Sequence, residues 1–356
     1  MEKTFKILPF RYFVGAFTLL LINLSCQQDK GKNIPDVAHF ADVPEWVHFE
    51  DVLCPTDGKT DTGIMEQVKK EHPAFWDLFF TQVVPLVDEG MPIAGQDSAI
   101  RQFISDDRVR WLCDTTAQIL GDWSGLKASV DQAFRYHQHY FPEKDLPRIY
   151  SLISEFGYLP FIFEDSDGRN GLGVSLEMFL GEDFPYRRYL GLNPAFSAYM
   201  TRTYNKDHFA MRILEVLVDD YCGFPPGERL IDHMIYNGKK KYILSSLLPA
   251  VPDSVIMTFS QEQLDWCLEN ERNIWAHFLQ NDLLYNQDRL SINKLITPGP
   301  NAPGMPPEAP GNTATWIGWR IVSDYMKRYP ETSLSGLIYL NDAQSILEKS
   351  KYKPRM

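Results

Sequence analysis

Along most of this chain apolar residues return every three or four positions, the spacing that gives an α-helix one buried stripe. From Ile64 to Phe141 the pattern is wholly helical. It predicts helices over Ile64 to Glu71, from Pro73 (well placed for a first helical turn) to about Leu86, over Ser98 to Ile104 and over Arg108 to Leu120. A further helix is predicted with its N-cap at Ser124 and an apolar face of Leu126, Val130, Ala133, Phe134 and Phe141. At Pro147 the period changes. Arg148 to Ser154, Leu159 to Phe163 and Leu172 to Phe179 are short β-branched and aromatic runs separated by turn residues, which predicts a small antiparallel meander of about three strands.

Helical spacing then resumes over His208 to Tyr221, Gly227 to about Leu247, a segment capped by Ser260, and another ending near Leu284. Thr297 to Asn312 is saturated with proline and glycine and predicts an extended surface loop. Ala314 to Arg328, a short segment near Leu334 and a helix capped by Asn341 complete the chain, with no internal repeat. The fold class expected is α+β and predominantly helical.

The first 25 residues follow a different rule. Lys3, Lys6 and Arg11 precede an apolar run from Tyr12 to Ser25 that is too short to span a bilayer, and Cys26 follows directly. This predicts a lipoprotein signal peptide over 1–25, acylation of Cys26 (palmitate among the chains), a polar tether over 26–44 and one domain over 45–356. Within that domain the expected parts are a helical 45–145, a middle 146–260 and a helical 261–356. The expected location is the cell envelope, lipid-anchored and facing the periplasm, with inner or outer membrane left open. Hydrophobic residues make up 44% of the chain, enough for a large core, and the net charge is −12. Such an excess excludes nucleic acid as a partner, because a polyanion would be repelled. Cys54, Cys113, Cys222 and Cys267 lack zinc or redox spacing, so one or two disulfides and simple burial both stay open.

Few residues carry a chemical signal. Asp165, Asp167 and Asn170 depart from a calcium loop and predict a hairpin turn. His137 and His139 lie two apart in a helix, so they face differently and predict a solvated surface. The order of small sheet, connector and two helices resembles that of gluzincin-type zinc peptidases, whose first helix carries H-E-x-x-H and whose second adds a carboxylate. Here the corresponding positions read Leu214, Glu215 and Val218, with Asn237 in place of the third ligand, so only the glutamate is present. No cofactor or metal is expected, and the chain is read as a pseudoenzyme. The alternative is a metal-dependent hydrolase rewired around Glu215, Asp219, Asp220 and His233, with His208 and Asp232 nearby.

Several blocks in fixed order carry a closer resemblance. They are Gly171 to Asp183 (GLGVSLEMFLGED), Ser260 to Trp266, Asn273 to Phe278, Trp316 to Val322 (WIGWRIV) and Ala343 to Tyr352. Together they resemble the gliding motility lipoprotein GldB family, from the N-terminus to the last residues. The resemblance implies a membrane-anchored envelope lipoprotein needed for gliding, distantly similar to predicted zinc proteases, with a partner in the gliding or associated secretion machinery. Trp316 and Trp319 are the expected contact element for that partner. Replacing Cys26 by Ala is expected to move the protein from the membrane to the soluble fraction, and unchanged membrane fractionation would remove the lipidation reading.

Overall fold

The computed structural model describes residues 34–55, 62–88, 90–191 and 193–355, and Val37–Met356 gathers into one compact unit. Cys26 and the signal segment lie outside the described residues. The N-terminal half is helical as expected: α1 (Thr62–Glu71), α2 (Pro73–Leu78, continued by a π-turn over Phe79–Val83), α3 (Ile93–Ile104), α4 (Asp107–Leu120) and α5 (Ser124–Tyr140). Ser124 is the first helical residue and not the cap; the Asp122 carboxylate accepts from its N–H at 2.9 Å. The tether expected over 26–44 is docked from Val37 on. Val37 is buried, Arg135 Nε donates to the Phe40 carbonyl at 3.0 Å, and Gln138 Nε2 donates to that of Asp42 at 2.7 Å.

The sheet corrects the expected three-stranded meander. Among the described residues it has four strands, β1 (Trp46–His48), β2 (Arg148–Leu152), β3 (Phe161–Glu164) and β4 (Asn170–Ser175), in the order β1-β2-β4-β3. β1 pairs parallel to β2 with Val47 opposite Tyr150, and β2 pairs parallel to β4 with Tyr150 opposite Gly173. Only β3 and β4 are antiparallel, joined by the turn over Asp165 to Arg169. The mixed pattern follows from connection length, since parallel neighbours need a long crossover and α1 to α5 supply one between β1 and β2. β1, only three residues long, is too short for alternation to reveal. On β4 the bare faces of Gly171 and Gly173 are covered by the rings of Phe163 and Phe161; a Cβ there would lie 2.2 Å from ring carbon.

The C-terminal half is built around α6 (Phe209–Cys222), α7 (Leu230–Leu247), α8 (Gln261–Glu269), α9 (Glu271–Gln280), α10 (Arg289–Ile296), α11 (Thr313–Arg328), α12 (Leu334–Tyr339) and α13 (Ala343–Ser350). Ser260 caps α8 in a reciprocal pair with Gln263, as its position suggested, whereas α13 is capped by Asp342 and not Asn341. The proline-glycine segment is not extended. It folds back on itself, with Ala302 N–H donating to Ala309 O at 2.8 Å and Gly311 N–H to Gly299 O at 2.9 Å, and its end from Ala309 is buried. Backbone pairing of this kind makes a compact Ω-type loop out of residues that disfavour helix and strand.

α7 lies against α11 at backbone contact. A Cβ on Gly318 would stand 1.9 Å from the Met234 carbonyl oxygen, and one on Gly238 would stand 2.3 Å from the Gly318 carbonyl carbon. Neither obstacle is the end of a flexible side chain, so the helices themselves would have to separate. Gly318→Ala is therefore expected to destabilise the fold by about 1–3 kcal/mol in urea unfolding, whereas the same change at an exposed helix glycine stabilises by about 0.5–1 kcal/mol. Wild-type stability for that variant would contradict the close crossing.

Candidate functional site

α6 forms because Phe209, Ile213, Leu214, Leu217 and Val218 make one continuous buried stripe, and because the turn before it is capped by Asn205, whose Oδ1 accepts from the N–H groups of Asp207 and His208. Gly223, at φ 61°, ends the helix. α7 then returns antiparallel beside it. The Tyr236 hydroxyl donates to the Gly223 carbonyl, Lys240 meets Asp219 at 3.0 Å, and Lys241 meets Glu215 at 2.9 Å.

Leu214 and Val218, set against motif histidines in the zinc-peptidase comparison of the sequence, have no exposed surface and belong to the core stripe. Glu215 lies on a different face and is held by cations at both oxygens, Arg212 Nη1 on Oε2 at 2.8 Å and Lys241 Nζ on Oε1 at 2.9 Å. Burial would raise its carboxyl, but Lys241 and Arg212 outweigh that and hold it well below the usual carboxylate range. Asn237 is half-buried, and Gly238 beside it is required by the α11 crossing.

The remaining acidic and imidazole groups are dispersed. Asp219 faces Lys240, Asp220 is exposed, and Asp232 is consumed by the α7 cap, accepting from Arg229 N, Nε and Nη2. His233 sits in the first turns of α7, eight residues from Lys241, which is about 12 Å along a helix. Among the described residues, no three His, Cys, Asp or Glu side chains come together as a metal-holding group. The rewired cluster of Glu215, Asp219, Asp220 and His233 is thus not assembled. Trp316 and Trp319 are 1% and 4% exposed and pack edge-on against each other at 5.6 Å, so the expected contact element is core. His137 also departs from expectation. It is fully buried with Nε2 2.8 Å from the Tyr221 hydroxyl, while His139 is exposed, because residues two apart take opposite faces.

What the structure does assemble lies at the start of α6. His208 is 7% exposed, and its Nδ1 is 2.8 Å from Asn205 Oδ1. Asn205 donates from its own amide to the Arg202 carbonyl, which leaves Oδ1 as an acceptor and makes Nδ1 of His208 the protonated nitrogen. His208 Nε2 is buried without a partner. Nearby, Arg202 stacks 4.2 Å over the Tyr199 ring and donates to the Thr258 carbonyl, and Arg212 donates to Thr203 Oγ1 at 2.9 Å. Tyr199 Oη and Arg212 Nε are likewise buried and unpartnered. Sequence reading missed Tyr199, Arg202, Arg212 and Lys241. The i,i+3 spacing of Arg212 and Glu215 was the one available signal, and it named a pair without naming its surroundings.

Two comparisons come back empty: no curated protein and no solved structure matches the chain. The family described as gliding motility protein GldB, a lipoprotein family, matches residues 30–354. The chain belongs to the GldB family. It is accordingly a gliding-motility protein and a membrane-anchored lipoprotein of the envelope, and among the described residues no helix is long and apolar enough to cross a membrane. The Cys54–Cys113 disulfide, between the turn Glu50–Leu53 and α4, suits a GldB chain in an oxidising compartment, while Cys222 and Cys267 are free thiols.

Burial pushes the His137 imidazole down to about 4, and burial with Arg212 and Arg202 beside it does the same for His208. Both groups have folded values below the unfolded one near 6.5. Their contribution to stability is therefore complete above pH ~6.5 and is lost as pH falls from there toward 4, on the order of 3 kcal/mol each at full shift. NMR titration is expected to show both rings neutral at pH 5.5, and a midpoint near 6.5 for either would contradict the placement.

Proposed function

We propose that this GldB-family chain serves gliding as a binding component and not as a catalyst, an envelope lipoprotein acylated at Cys26, facing the periplasm, that engages a protein of the gliding or associated secretion machinery. The observation that carries the reading is the double engagement of Glu215. A general base needs a free lone pair directed at its water or substrate, and both oxygens of this carboxylate are already taken by Arg212 and Lys241. If α6 and α7 descend from a gluzincin helix pair, the Lys241 ammonium stands as the positive charge opposite the glutamate, and leucine and valine fill the places of the histidines.

In this reading the trio is structural. Removing one partner leaves an uncompensated charge in a half-buried place, which costs about 1–3 kcal/mol once discounted for the partial exposure of Glu215. Glu215→Gln combined with Asp219→Asn is expected to lower the unfolding midpoint and to restore gliding to a deletion strain when expressed to wild-type level. Loss of gliding at equal abundance, or stoichiometric zinc in the detergent-extracted wild-type protein, would overturn the non-catalytic reading.

A further inference from the structure

We propose that the pocket bounded by Tyr199, Arg202 and Arg212 receives a carboxylate of an acidic peptide segment, which reaches it along the adjoining groove of the proline-glycine loop. The proposal deepens the binding role above and rests on it for its biological partner, although the chemistry of the pocket stands by itself.

Charge is the first observation. Arg212 and Lys241 share one carboxylate, Glu215, and Arg202 lines the same cavity as Arg212, in a chain whose net charge is −12. Arg202 has no carboxylate within ion-pair distance among the described residues; its Nη2 meets only the Thr258 carbonyl at 2.6 Å and Gln263 Oε1 at 3.5 Å. Arg202 is half-buried and faces neutral oxygens and the Tyr199 ring, so its charge has room for an anion beside it.

Hydrogen bonding is the second. The Tyr199 hydroxyl and Arg212 Nε are both shut off from solvent without a partner, and both residues line the same cavity. Each can donate to one incoming oxygen. Buried donors left open in this way cost stability unless a ligand or water satisfies them.

Space is the third, and it selects the ligand. The cavity measures about 10 Å³, room for one oxygen-sized group. A carboxylate can insert one oxygen there and leaves one outside to be satisfied, against the three that a phosphate would leave. Pro298 lines this cavity and also a wider groove of about 470 Å³, whose wall includes Lys294, Thr297, Gly299 and Asn301. The groove falls within the size of small-ligand sites, and the Thr297 hydroxyl and Asn301 amide in its wall suit the main chain of a short peptide. Lys294 adds a further cation at the rim. The acidity of the whole protein opposes non-specific capture of an acidic peptide, so whatever binds must do so at a local site.

Fluorescence anisotropy with a labelled oligoglutamate peptide and the detergent-extracted full chain tests the proposal, with an oligoglutamine peptide and inorganic phosphate as controls. Saturable binding of oligoglutamate is expected, with none for oligoglutamine and poor competition by phosphate. Arg202→Gln should weaken binding at least tenfold. Tyr199→Phe, which keeps the ring under Arg202 and removes only the hydroxyl, should weaken it several-fold without lowering the unfolding midpoint. Absence of saturable binding, equal affinity in the Arg202→Gln and Tyr199→Phe proteins, or phosphate competing as well as glutamate would overturn the carboxylate assignment. The two readings fail separately. A chain that binds no oligoglutamate but glides with Glu215→Gln loses the pocket and keeps the non-catalytic role; one that binds it but stops gliding with Glu215→Gln loses the role and keeps the pocket.

Discussion

The backbone contact between α7 and α11 at Gly238 and Gly318 is the constraint on which the C-terminal half depends. Once two helices approach that closely, α7 is enclosed on nearly every side, and its polar residues must find partners on whichever element they meet. Three consecutive lysines show the consequence. Successive residues turn by about 100° around a helix, so Lys239, Lys240 and Lys241 leave α7 in three directions. Lys239 donates to the Ile338 and Leu340 carbonyls at the end of α12, Lys240 reaches Asp219, and Lys241 reaches Glu215. A run that would be solvated on a surface helix instead stitches α7 to its neighbours, and the position of Lys241 beside Glu215 follows from the crossing.

The sheet end of the molecule is held by polar groups as well. Arg148 on β2 meets Glu45 just before β1 and Asp165 and Asp167 in the β3–β4 turn, so one guanidinium fastens three segments. The Tyr150 hydroxyl donates to Asp165 Oδ2 at 2.7 Å and lies 3.1 Å from His72 Nδ1. A second node is Glu177, fully buried, whose Oε1 accepts from Ser154 N–H and hydroxyl and from Phe156 N–H. It holds a turn in which Glu155 and Phe156 are both left-handed, at φ 53° and 63°. That conformation costs of order 1 kcal/mol or more per non-glycine residue, and a carboxylate bridging the turn is the kind of over-determination that sustains it. The disulfide adds to these ties by closing a loop of 59 residues, worth about 4 kcal/mol on chain entropy.

Helices were legible because burial of one stripe leaves a period in the residues, and α1, α4, α5, α6 and α11 lie within a few residues of where that period places them. Strand pairing was not, because direction depends on what crosses between strands and β1 has too few residues to alternate. The proline-glycine segment misled through its composition. Such residues refuse helix and strand, but nothing in that refusal forbids backbone pairing such as that from Ala302 to Ala309. The site was legible only as positions. Glu215, Leu214 and Val218 could be named from an alignment of motif to helix, whereas Arg202 and Tyr199 meet Arg212 only because the turns before α6 fold back over it. Trp316 and Trp319 erred in the opposite sense, since tryptophans three apart on a helix serve a buried stripe and a binding face equally well by spacing.

The charge arrangement around Glu215 decides what kind of ion the α6–α7 pair can attract. A metal site concentrates carboxylate and imidazole lone pairs so that a dication is the missing partner. Around Glu215 the excess is of the other sign, because Arg212 and Lys241 already exceed the single negative charge between them, and Arg202, which lines a cavity with Arg212, has only neutral acceptors. A zinc ion approaching Glu215 would have to displace the Lys241 ammonium 2.9 Å away and would face the Arg212 guanidinium on the other oxygen, so Coulomb repulsion opposes it. An anion meets the reverse situation, attraction from the same three cations and open donors at Tyr199 and Arg212. A carboxylate flanked by side-chain cations therefore favours a ligand that brings negative charge of its own over a dication that needs lone pairs.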